Sequence, residues 1–369
     1  MTRRTFIQRL SRRALTAAAA WTIGGPSALP LMAETAIGAD ASNDTYQPLN
    51  GRSLMDLALS RTHHGGNRFS NPFTREKKGS FWPVMRWKLF SPNHFSGYYK
   101  DEPSLTVQPD WPRLSAHKGL SVTFVKHATI LIKDGPDTFL IDPVFGPIFP
   151  FIQDFSPLAG DLDEMPRPTR VLITHGHYDH LDLASLTRLG TDTEIISPLG
   201  YDTEFSELGM RRRHTMDWFD NLRVEGSDIT FLPCNHWTMR NPLIGPNRSL
   251  WGSYLIRTRQ GASIYVSGDT GYFDGFQQIG QLFDIDLAII NLGAYEPRWF
   301  MAGSHMNPAE TVRAFTELGA RRLMITHWGT FRLGDEPVHF PPMDIQREMT
   351  ANGHSDRLLA VSHGETVFL

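Results

Sequence analysis

The sequence predicts an α/β fold that carries a metal site at one edge of its sheets, and three observations lead to this prediction. From residue 120 onward, short apolar segments typical of buried strands alternate with helical segments. Histidine or aspartate follows several of these strands directly. One six-residue segment, His175 to His180, contains three histidines and an aspartate, which indicates a loop wrapped around metal.

The composition is that of a globular protein, with 40% hydrophobic and 20% charged residues in a chain of 369. This length permits one large domain or two ordinary ones. The formal net charge of −3 argues against a nucleic-acid-binding protein, which usually carries a basic face. The single cysteine, Cys234, cannot form an intrachain disulfide, and because no basic residue stands beside it we expect a buried strand residue rather than a nucleophile.

Residues 1–41 are predicted to be an export signal. Arg3 and Arg4 are followed by a spacer and Phe6-Ile7, which resembles a bacterial twin-arginine (Tat) signal, and an alanine-rich stretch follows. Small-residue cleavage sites lie at Ala33 and after Ala41. We therefore expect a periplasmic or exported protein, peripheral on the membrane. A disordered basic tail or an uncleaved anchor are the alternatives.

Two further regions are expected after the signal. Residues 42–118 are rich in Pro, Gly, Asn and aromatic residues and show no regular period. Because linkers rarely contain so many Trp and Phe residues, we expect an ordered, irregular extension packed on the catalytic domain rather than a mobile linker. Residues 119–369 are predicted to form that domain.

Strands and helices can be assigned in order along the second region. The predicted strands are 122–125, 128–132, 139–142, 171–173, 229–233, 264–268 and 323–326. A short helix is expected from Leu183 to Leu189, closed by Gly190. A longer helix begins after Asn307, with Pro308 at its first position and Glu310 at its third, and stops at Gly319.

Seven potential metal ligands follow four of these strands. They are His175, His177, Asp179, His180, His236, Asp269 and His327. Neutral imidazole and carboxylate are ligands that zinc accepts readily, and seven of them suffice for two ions. We predict that His175, His177 and His236 bind one Zn²⁺, that Asp179, His180 and His327 bind the other, and that Asp269 bridges both. Iron or manganese is the alternative, since the same ligands accept them.

Three further polar residues are candidates for the surroundings of the metals. Asp142 and Asp182 could each orient a ligand histidine through its second ring nitrogen, or could each be a turn or helix-cap aspartate. His127, in the segment Lys126-His127-Ala128-Thr129, is expected to line the site.

These motifs carry a family resemblance. His175 to His180 resembles the signature of the metallo-β-lactamase superfamily, which implies an αββα sandwich of two mixed sheets flanked by helices. The runs 250–253, 267–272, 293–301 (Gly-Ala-Tyr-Glu-Pro-Arg-Trp-Phe-Met) and 326–331 resemble the N-acylphosphatidylethanolamine-hydrolysing phospholipase D family. The resemblance is dense from about residue 127 to 331, thinner over residues 60–100 and weakest near the C-terminus.

The resemblance implies a phosphodiesterase of phospholipase D type that converts N-acylphosphatidylethanolamine to N-acylethanolamine and phosphatidic acid through a zinc-bridging hydroxide. His305 matches a histidine that lies beside the substrate phosphate in that family, although a solvated loop histidine is the plain alternative. Asp269 or His305 could handle the proton of the leaving alkoxide. Five further residues would by themselves be assigned to the hydrophobic core. The resemblance implies instead that they form an apolar wall for acyl chains: Trp237, Trp299, Phe300, Met301 and Trp328.

The partners that follow are a phospholipid at the membrane surface, no nucleic acid, and a homodimer by analogy with the family. Two other functions stay open. One is hydrolysis of another substrate on the same fold, such as a lactone, a thioester, a β-lactam or RNA, because fold does not fix substrate. The other is a non-catalytic periplasmic protein that binds zinc or lipid.

Overall fold

Two seven-stranded sheets form the centre of the molecule. The computed structural model describes residues 51–73, 80–159 and 162–369. The predicted export signal therefore lies outside the described residues. Each predicted strand overlaps an observed one, and the predicted αββα sandwich of two mixed sheets flanked by helices is confirmed.

The first sheet has the order β14-β1-β2-β3-β4-β5-β6. Its strands are β1 (Leu120–Lys126), β2 (Thr129–Asp134), β3 (Asp137–Ile141), β4 (Arg170–Leu172), β5 (Glu194–Pro198), β6 (Arg213–Met216) and β14 (Thr366–Phe368). The second sheet has the order β13-β12-β11-β10-β9-β8-β7. Its strands are β7 (Asn221–Val224), β8 (Ser227–Leu232), β9 (Ser253–Arg257), β10 (Ser263–Val266), β11 (Leu287–Asn291), β12 (Arg322–Thr326) and β13 (Leu358–Leu359).

The two sheets share one pairing pattern. In the first, β14, β1, β2 and β3 pair antiparallel, whereas β3, β4, β5 and β6 pair parallel. In the second, β7 to β10 pair antiparallel and β10 to β13 parallel. Because parallel strands point the same way, their carboxyl ends lie together at one end of the sheet. The loops that follow β3 and β4 leave the first sheet at that end, and the loops that follow β10 and β12 leave the second sheet at the corresponding end.

Helices lie around the two sheets in the described part of the chain. They are α1 (Leu54–Leu59), α2 (Phe81–Phe90), α3 (Trp111–Ala116), α4 (Leu183–Leu189), α5 (Asp202–Glu207), α6 (Gly275–Leu282), α7 (Arg298–Met301), α8 (Pro308–Glu317) and α9 (Phe340–Ala351), with 3₁₀ turns at Ser96–Asp101, Leu162–Glu164 and Ser355–Arg357. Residues such as Phe124 and Phe231 fill the space between the sheets. Separate apolar layers join the first sheet to α3, α4 and α5, and the second sheet to α6, α8 and α9.

The segment before β1 contacts the second sheet and its loops at several points. The Leu54 N–H donates to the Gln278 side chain on α6 at 2.7 Å. The Trp87 indole of α2 donates to Asp335 at 2.9 Å, and the Tyr99 hydroxyl donates to the Asp335 carbonyl at 2.8 Å. The sequence pattern gives no sign of α2, because its apolar residues run all round the helix instead of forming one stripe.

The predicted start of α8 has the expected cap. The Asn307 side chain accepts from the Glu310 N–H at 2.9 Å, while the Glu310 carboxylate accepts from the Asn307 N–H at 3.0 Å. Asn307→Ala removes one half of this capping box and leaves a helix N–H without its acceptor. We expect the free energy of unfolding to fall by about 1 kcal/mol. Urea denaturation followed by circular dichroism measures this, and Asn307→Asp, which can still cap, should stay near the parent.

Candidate metal centre

The loops that leave the sheet edges bring the predicted ligands to one place. β4 runs into the loop of His175 to His180, and β8 runs into His236. β10 and β12 lead to Asp269 and His327. Five of the seven side chains are at most 3% exposed, and the remaining two, His177 and Asp179, are partly exposed. The site is therefore buried, and solvent reaches it on the side of His177 and Asp179.

Two glycines allow these loops to pack so closely. A Cβ atom on Gly176 would come within 2.6 Å of the Tyr201 ring and within 2.9 Å of the Thr238 hydroxyl. Gly268 precedes Asp269, has a φ of +59°, and would place a Cβ 2.9 Å from the Thr174 side chain. Only glycine fits at either position, because both contacts are shorter than real carbon contacts and the second also needs left-handed backbone.

One group of ligand atoms contains three imidazole nitrogens. His175 Nε2 lies 3.0 Å from His177 Nδ1, and His177 Nδ1 lies 3.2 Å from His236 Nε2. Asp269 Oδ2 lies 3.8 Å from His175 Nε2 and 3.9 Å from His236 Nε2. These four side chains can hold one metal ion together.

A second group lies on the other side of Asp269. Asp179 Oδ2 lies 3.6 Å from His180 Nε2 and 3.4 Å from His327 Nε2. His127 joins this group, since its Nε2 lies 3.0 Å from Asp179 Oδ2. The division into His175, His177 and His236 on one side and Asp179, His180 and His327 on the other is the division predicted above.

Asp269 reaches both groups. Its Oδ2 lies 3.2 Å from His180 Nε2, and its Oδ1 lies 3.2 Å from His327 Nε2. The same Oδ2 faces His175 and His236 of the first group. A carboxylate in this position can bridge two cations.

The electrostatics of the cluster favour bound cations. Burial alone would raise the pKa of Asp269, but His180, His327 and His305 outweigh it and hold the pKa well below its usual range. Burial lowers the pKa of His177 to about 4. Burial would also lower the pKa of His327, yet the carboxylates of Asp269 and Asp179 beside it raise the pKa to about 9. Two ionised carboxylates in a buried site need positive charge beside them to be stable. Metal ions can supply that charge, and protons supply it when no metal ion is bound.

Two histidine ring nitrogens also indicate that the cluster binds cations. His180 Nε2 and His327 Nε2 are fully buried and form no hydrogen bond with any described residue, although a carboxylate oxygen of Asp269 lies 3.2 Å from each. The oxygen lies off the direction in which an N–H would donate. Buried polar atoms without a partner are rare in proteins. Metal ions at the centre of each group would satisfy both nitrogens, so the residues present fit the predicted cofactor.

Backbone strain is concentrated at the same place. His127, Asp142 and His327 are non-glycine residues with left-handed φ angles of 49°, 42° and 72°. Such conformations cost about 1–3 kcal/mol each and cluster at functional sites. At these three positions the unusual backbone turns a side chain into the cluster at the end of a strand.

Asp142 and Asp182, which the sequence leaves equivalent, have different roles. Asp142 Oδ2 accepts from His180 Nδ1 at 2.7 Å and from the Thr174 hydroxyl at 2.6 Å, so it fixes the ring of a predicted ligand. Asp182 caps α4, accepting from the N–H groups of Ala184 and Ser185. The hypothesis that Asp182 orients a ligand histidine is therefore wrong, because its oxygens are used by the helix.

Asp142→Asn tests the orienting role. An amide nitrogen cannot accept from the His180 ring, so the imidazole loses its fixed orientation while the side-chain volume is kept. We expect zinc affinity to fall about 10–100-fold, the usual effect of removing such a partner. Competition with a fluorescent chelator measures the affinity. Asp182→Asn is the matched control: asparagine also caps helices, so its zinc affinity should equal that of the parent.

The sequence pattern missed a polar chain behind Asp269. The Asn291 side chain donates to Asp269 Oδ1 at 2.9 Å and accepts from the Thr326 hydroxyl at 2.7 Å. Both residues end strands, β11 and β12, at the same end of the sheets as the predicted ligands. Their position at strand ends is visible in the sequence. Asparagine and threonine are too common at strand ends, however, for this position alone to indicate a functional role.

His305 lies beside the cluster. Its Nδ1 is 3.9 Å from Asp269 Oδ2, and its ring faces those of His236 and His327 at centroid distances of 5.5 and 5.7 Å. Burial lowers its pKa to about 4, so the ring is neutral at pH 7. The side chain remains 16% exposed. It can therefore contact both the cluster and a molecule that approaches from solvent.

The five aromatic and methionine residues predicted as one apolar wall are divided among three places. Trp237 packs edge-on against the His177 ring at 4.8 Å. Phe300 and Met301 pack against Trp87 of α2, beside Trp299. Trp328 instead packs against Phe124 and His363, toward the space between the sheets. The single wall is wrong, because Trp328 is directed inward. His127 contacts the predicted ligands Asp179 and His327 directly.

The chain resembles known proteins over this same region. A family model described as "Beta-lactamase superfamily domain" matches residues 137–328. A mitochondrial N-acyl-phosphatidylethanolamine-hydrolyzing phospholipase D of Saccharomyces cerevisiae is 31% identical over 62% of this chain and 49% of its own length. N-acyl-phosphatidylethanolamine-hydrolyzing phospholipase D 1 of Caenorhabditis elegans is 31% identical over 63% of this chain and 70% of its own. The chain thus spans about half the length of the yeast relative.

Solved structures agree on the architecture. The structure of a possible metal-dependent hydrolase from Veillonella parvula has a TM-score of 0.56, is 19% identical, and covers 69% of this chain and all of the other. At that identity the likeness concerns the fold alone.

Proposed function

The chain belongs to the metallo-β-lactamase superfamily, and from this premise we propose that it is a zinc-dependent phosphodiesterase of phospholipase D type acting on N-acylphosphatidylethanolamine. Its family and fold are those of a metal-dependent hydrolase. The observation that carries the proposal is the complete set of seven ligands with Asp269 between two groups. The match to two relatives that bear the name of that lipase supports the finer reaction.

In this proposal His175, His177 and His236 hold one Zn²⁺, and Asp179, His180 and His327 hold the other. Asp269 faces both. Two such ions would supply positive charge for phosphate oxygens and would make water acidic enough to lose a proton near pH 7. Asp142 keeps the His180 ring in the orientation that ligation needs.

The charge of the site favours a phosphodiester. Asp179 and Asp269 bring two negative charges, and two divalent ions bring four positive ones. The small positive remainder attracts the single negative charge of a phosphodiester. Hydrolysis would join a water oxygen to phosphorus, break the bond from phosphorus to the ethanolamine oxygen, and leave a proton on that oxygen. The products are then phosphatidic acid and N-acylethanolamine.

In this proposal His305 meets the substrate phosphate. It is neutral because burial lowers its pKa, and a neutral imidazole can donate one hydrogen bond. The Arg298 guanidinium donates to the His305 carbonyl at 2.9 Å and to Glu310 at 2.7 Å, which fixes the loop between α7 and α8. We assign His305 to the phosphate or leaving oxygen, and Asp269 to the metals.

The exposed apolar face of α2 and α7 fits contact with a lipid surface. Trp82, Leu89 and Phe90 of α2 are 70%, 66% and 73% exposed, and Trp299 of α7 is 45% exposed. The Arg86 guanidinium lies 4.7 Å from the centre of the Trp299 ring. Exposed aromatic residues with basic neighbours are typical of surfaces that enter the headgroup region of a membrane. We propose that this face contacts the bilayer from which the substrate is taken.

We further propose that the protein works outside the cytoplasm, because residues 1–41 resemble a twin-arginine signal. Among the described residues, no helix is long and apolar enough to cross a membrane. We propose that contact through α2 and α7 is peripheral.

A substrate panel tests the proposed reaction. The chain from Ser42, loaded with zinc, is given N-acylphosphatidylethanolamine in micelles, phosphatidylethanolamine, a lactone, a thioester, a β-lactam and RNA. We expect cleavage of the N-acylated lipid, lost with a chelator and restored by zinc. Parallel reloading with iron or manganese tests the metal. Rapid turnover of another member of the panel, with the lipid intact, would replace the substrate assignment, and metal uptake without any turnover would favour a binding protein.

A further inference from the structure

A second cluster of metal-ligand side chains lies away from the centre described above. His63 and His64 belong to the turn that follows α1, and Asp217 follows β6 directly. His63 Nε2 lies 2.7 Å from Asp217 Oδ1, and His64 Nε2 lies 2.7 Å from Asp217 Oδ2. Each imidazole therefore contacts a different oxygen of the same carboxylate.

We propose that His63, His64 and Asp217 bind a further divalent transition-metal ion, such as Zn²⁺, in addition to the ions of the main centre. Two imidazoles and a carboxylate are a ligand set that zinc takes, with water in the fourth position. One donor atom from each residue lies within 4.8 Å of the others. With zinc bonds of about 2.0–2.1 Å, tetrahedral donors stand roughly 3.3 Å apart, so small side-chain rotations from the present distances suffice.

The cluster is held rigidly and stays open to solvent. The His63 ring is fully buried and stacks on the Trp218 ring at 4.1 Å. The side chains of His64 and Asp217 remain 28% and 18% exposed, which lets an ion enter and a water complete its shell. The backbone N–H of Trp218 donates to Asp217 Oδ1 at 2.8 Å and keeps the carboxylate in place.

A metal here would fasten the N-terminal segment to the sandwich near the main centre. The Ser70 N–H donates to the His63 carbonyl at 2.9 Å. The next residue, Asn71, donates to the carbonyl of His236, a ligand of the main centre, at 2.8 Å. The ion would thus join residues 63–71 to the β6–β7 connection and support the loop of His236 from behind. This role is structural and independent of which substrate the enzyme cleaves.

Metal counting tests the proposal. The chain from Ser42 is stripped with a chelator, reloaded with zinc, freed of excess by gel filtration, and measured by mass spectrometry of the metal. We expect His64→Gln and Asp217→Asn each to hold one zinc fewer per chain than the parent. Asp269→Asn should retain one zinc, which the double variant Asp269→Asn/His64→Gln should lose. Glutamine and asparagine keep size and polarity, and circular dichroism checks each fold.

A second readout separates a bound metal from a cluster held by protons. Zinc should raise the melting temperature of Asp269→Asn, and His64→Gln should abolish that rise in the double variant. Equal zinc counts in the parent, His64→Gln and Asp217→Asn, together with a zinc-free Asp269→Asn, would overturn the proposal. The cluster would then be a hydrogen-bonded clamp, and the main centre and its activity would stand unaffected.

Discussion

Asp269→Asn is expected to lower kcat/KM by about 10³-fold, which corresponds to about 4 kcal/mol of transition-state stabilisation. The Asp269 carboxylate faces both ligand groups, with oxygens 3.2 Å from His180 Nε2 and from His327 Nε2. The amide has the same shape but no charge, and one of its ends cannot bind a cation. The buried histidines then face each other without the carboxylate between them.

Two measurements distinguish this result from misfolding. Zinc per chain should fall along with activity, and added zinc should restore little of either. Asp274→Asn makes the same chemical change five residues further on, at an exposed position before α6, and should keep parental zinc content and rate. Full activity in Asp269→Asn at the parental zinc content would remove Asp269 from the centre.

His305→Ala should have a different signature, in which kcat falls about 10²-fold while the zinc content is unchanged. His305 lies beside the cluster, and its Nδ1 is 3.9 Å from Asp269, so we assign it to the substrate rather than to metal. Loss of one hydrogen bond to developing charge costs about 10²–10³-fold in rate. Steady-state kinetics at saturating lipid, with the metal content measured on the same sample, checks this.

His305→Gln should recover part of the loss, because its amide can donate one hydrogen bond. His214→Ala is the control histidine, since it pairs with Glu194 at the outer edge of the first sheet. A His305→Ala enzyme that loses zinc would show that His305 supports the ligands. A His305→Ala enzyme with the parental rate would show that His305 is a loop histidine without a role in the reaction.

The sandwich could be predicted because its signals are local. Short apolar runs within β2 and β12 predict buried strands, and the capping box at Asn307 fixes where α8 begins. The meeting of the seven candidate ligands could be predicted for a related reason. The carboxyl ends of parallel strands lie side by side, so histidine and aspartate residues directly after such strands are brought to one place.

Other features depend on contacts between distant parts of the chain, which no local pattern contains. Asp142 and Asp182 both read as an aspartate beside a turn, and only the fold shows that Asp142 meets His180 while Asp182 meets its own helix. The Trp328 ring follows a ligand in sequence yet points between the sheets. The pairing of His63 with Asp217 joins residues 154 positions apart.

The most direct test of the central claim is hydrolysis of N-acylphosphatidylethanolamine in water enriched in ¹⁸O, with products identified by mass spectrometry. The proposed reaction predicts N-acylethanolamine without label and phosphatidic acid with one ¹⁸O, because water attacks phosphorus and the ethanolamine oxygen leaves. Both products should vanish with chelator and return with zinc. Intact lipid in the presence of zinc-loaded protein, or label in the N-acylethanolamine, would contradict a phospholipase D reaction at this metal centre.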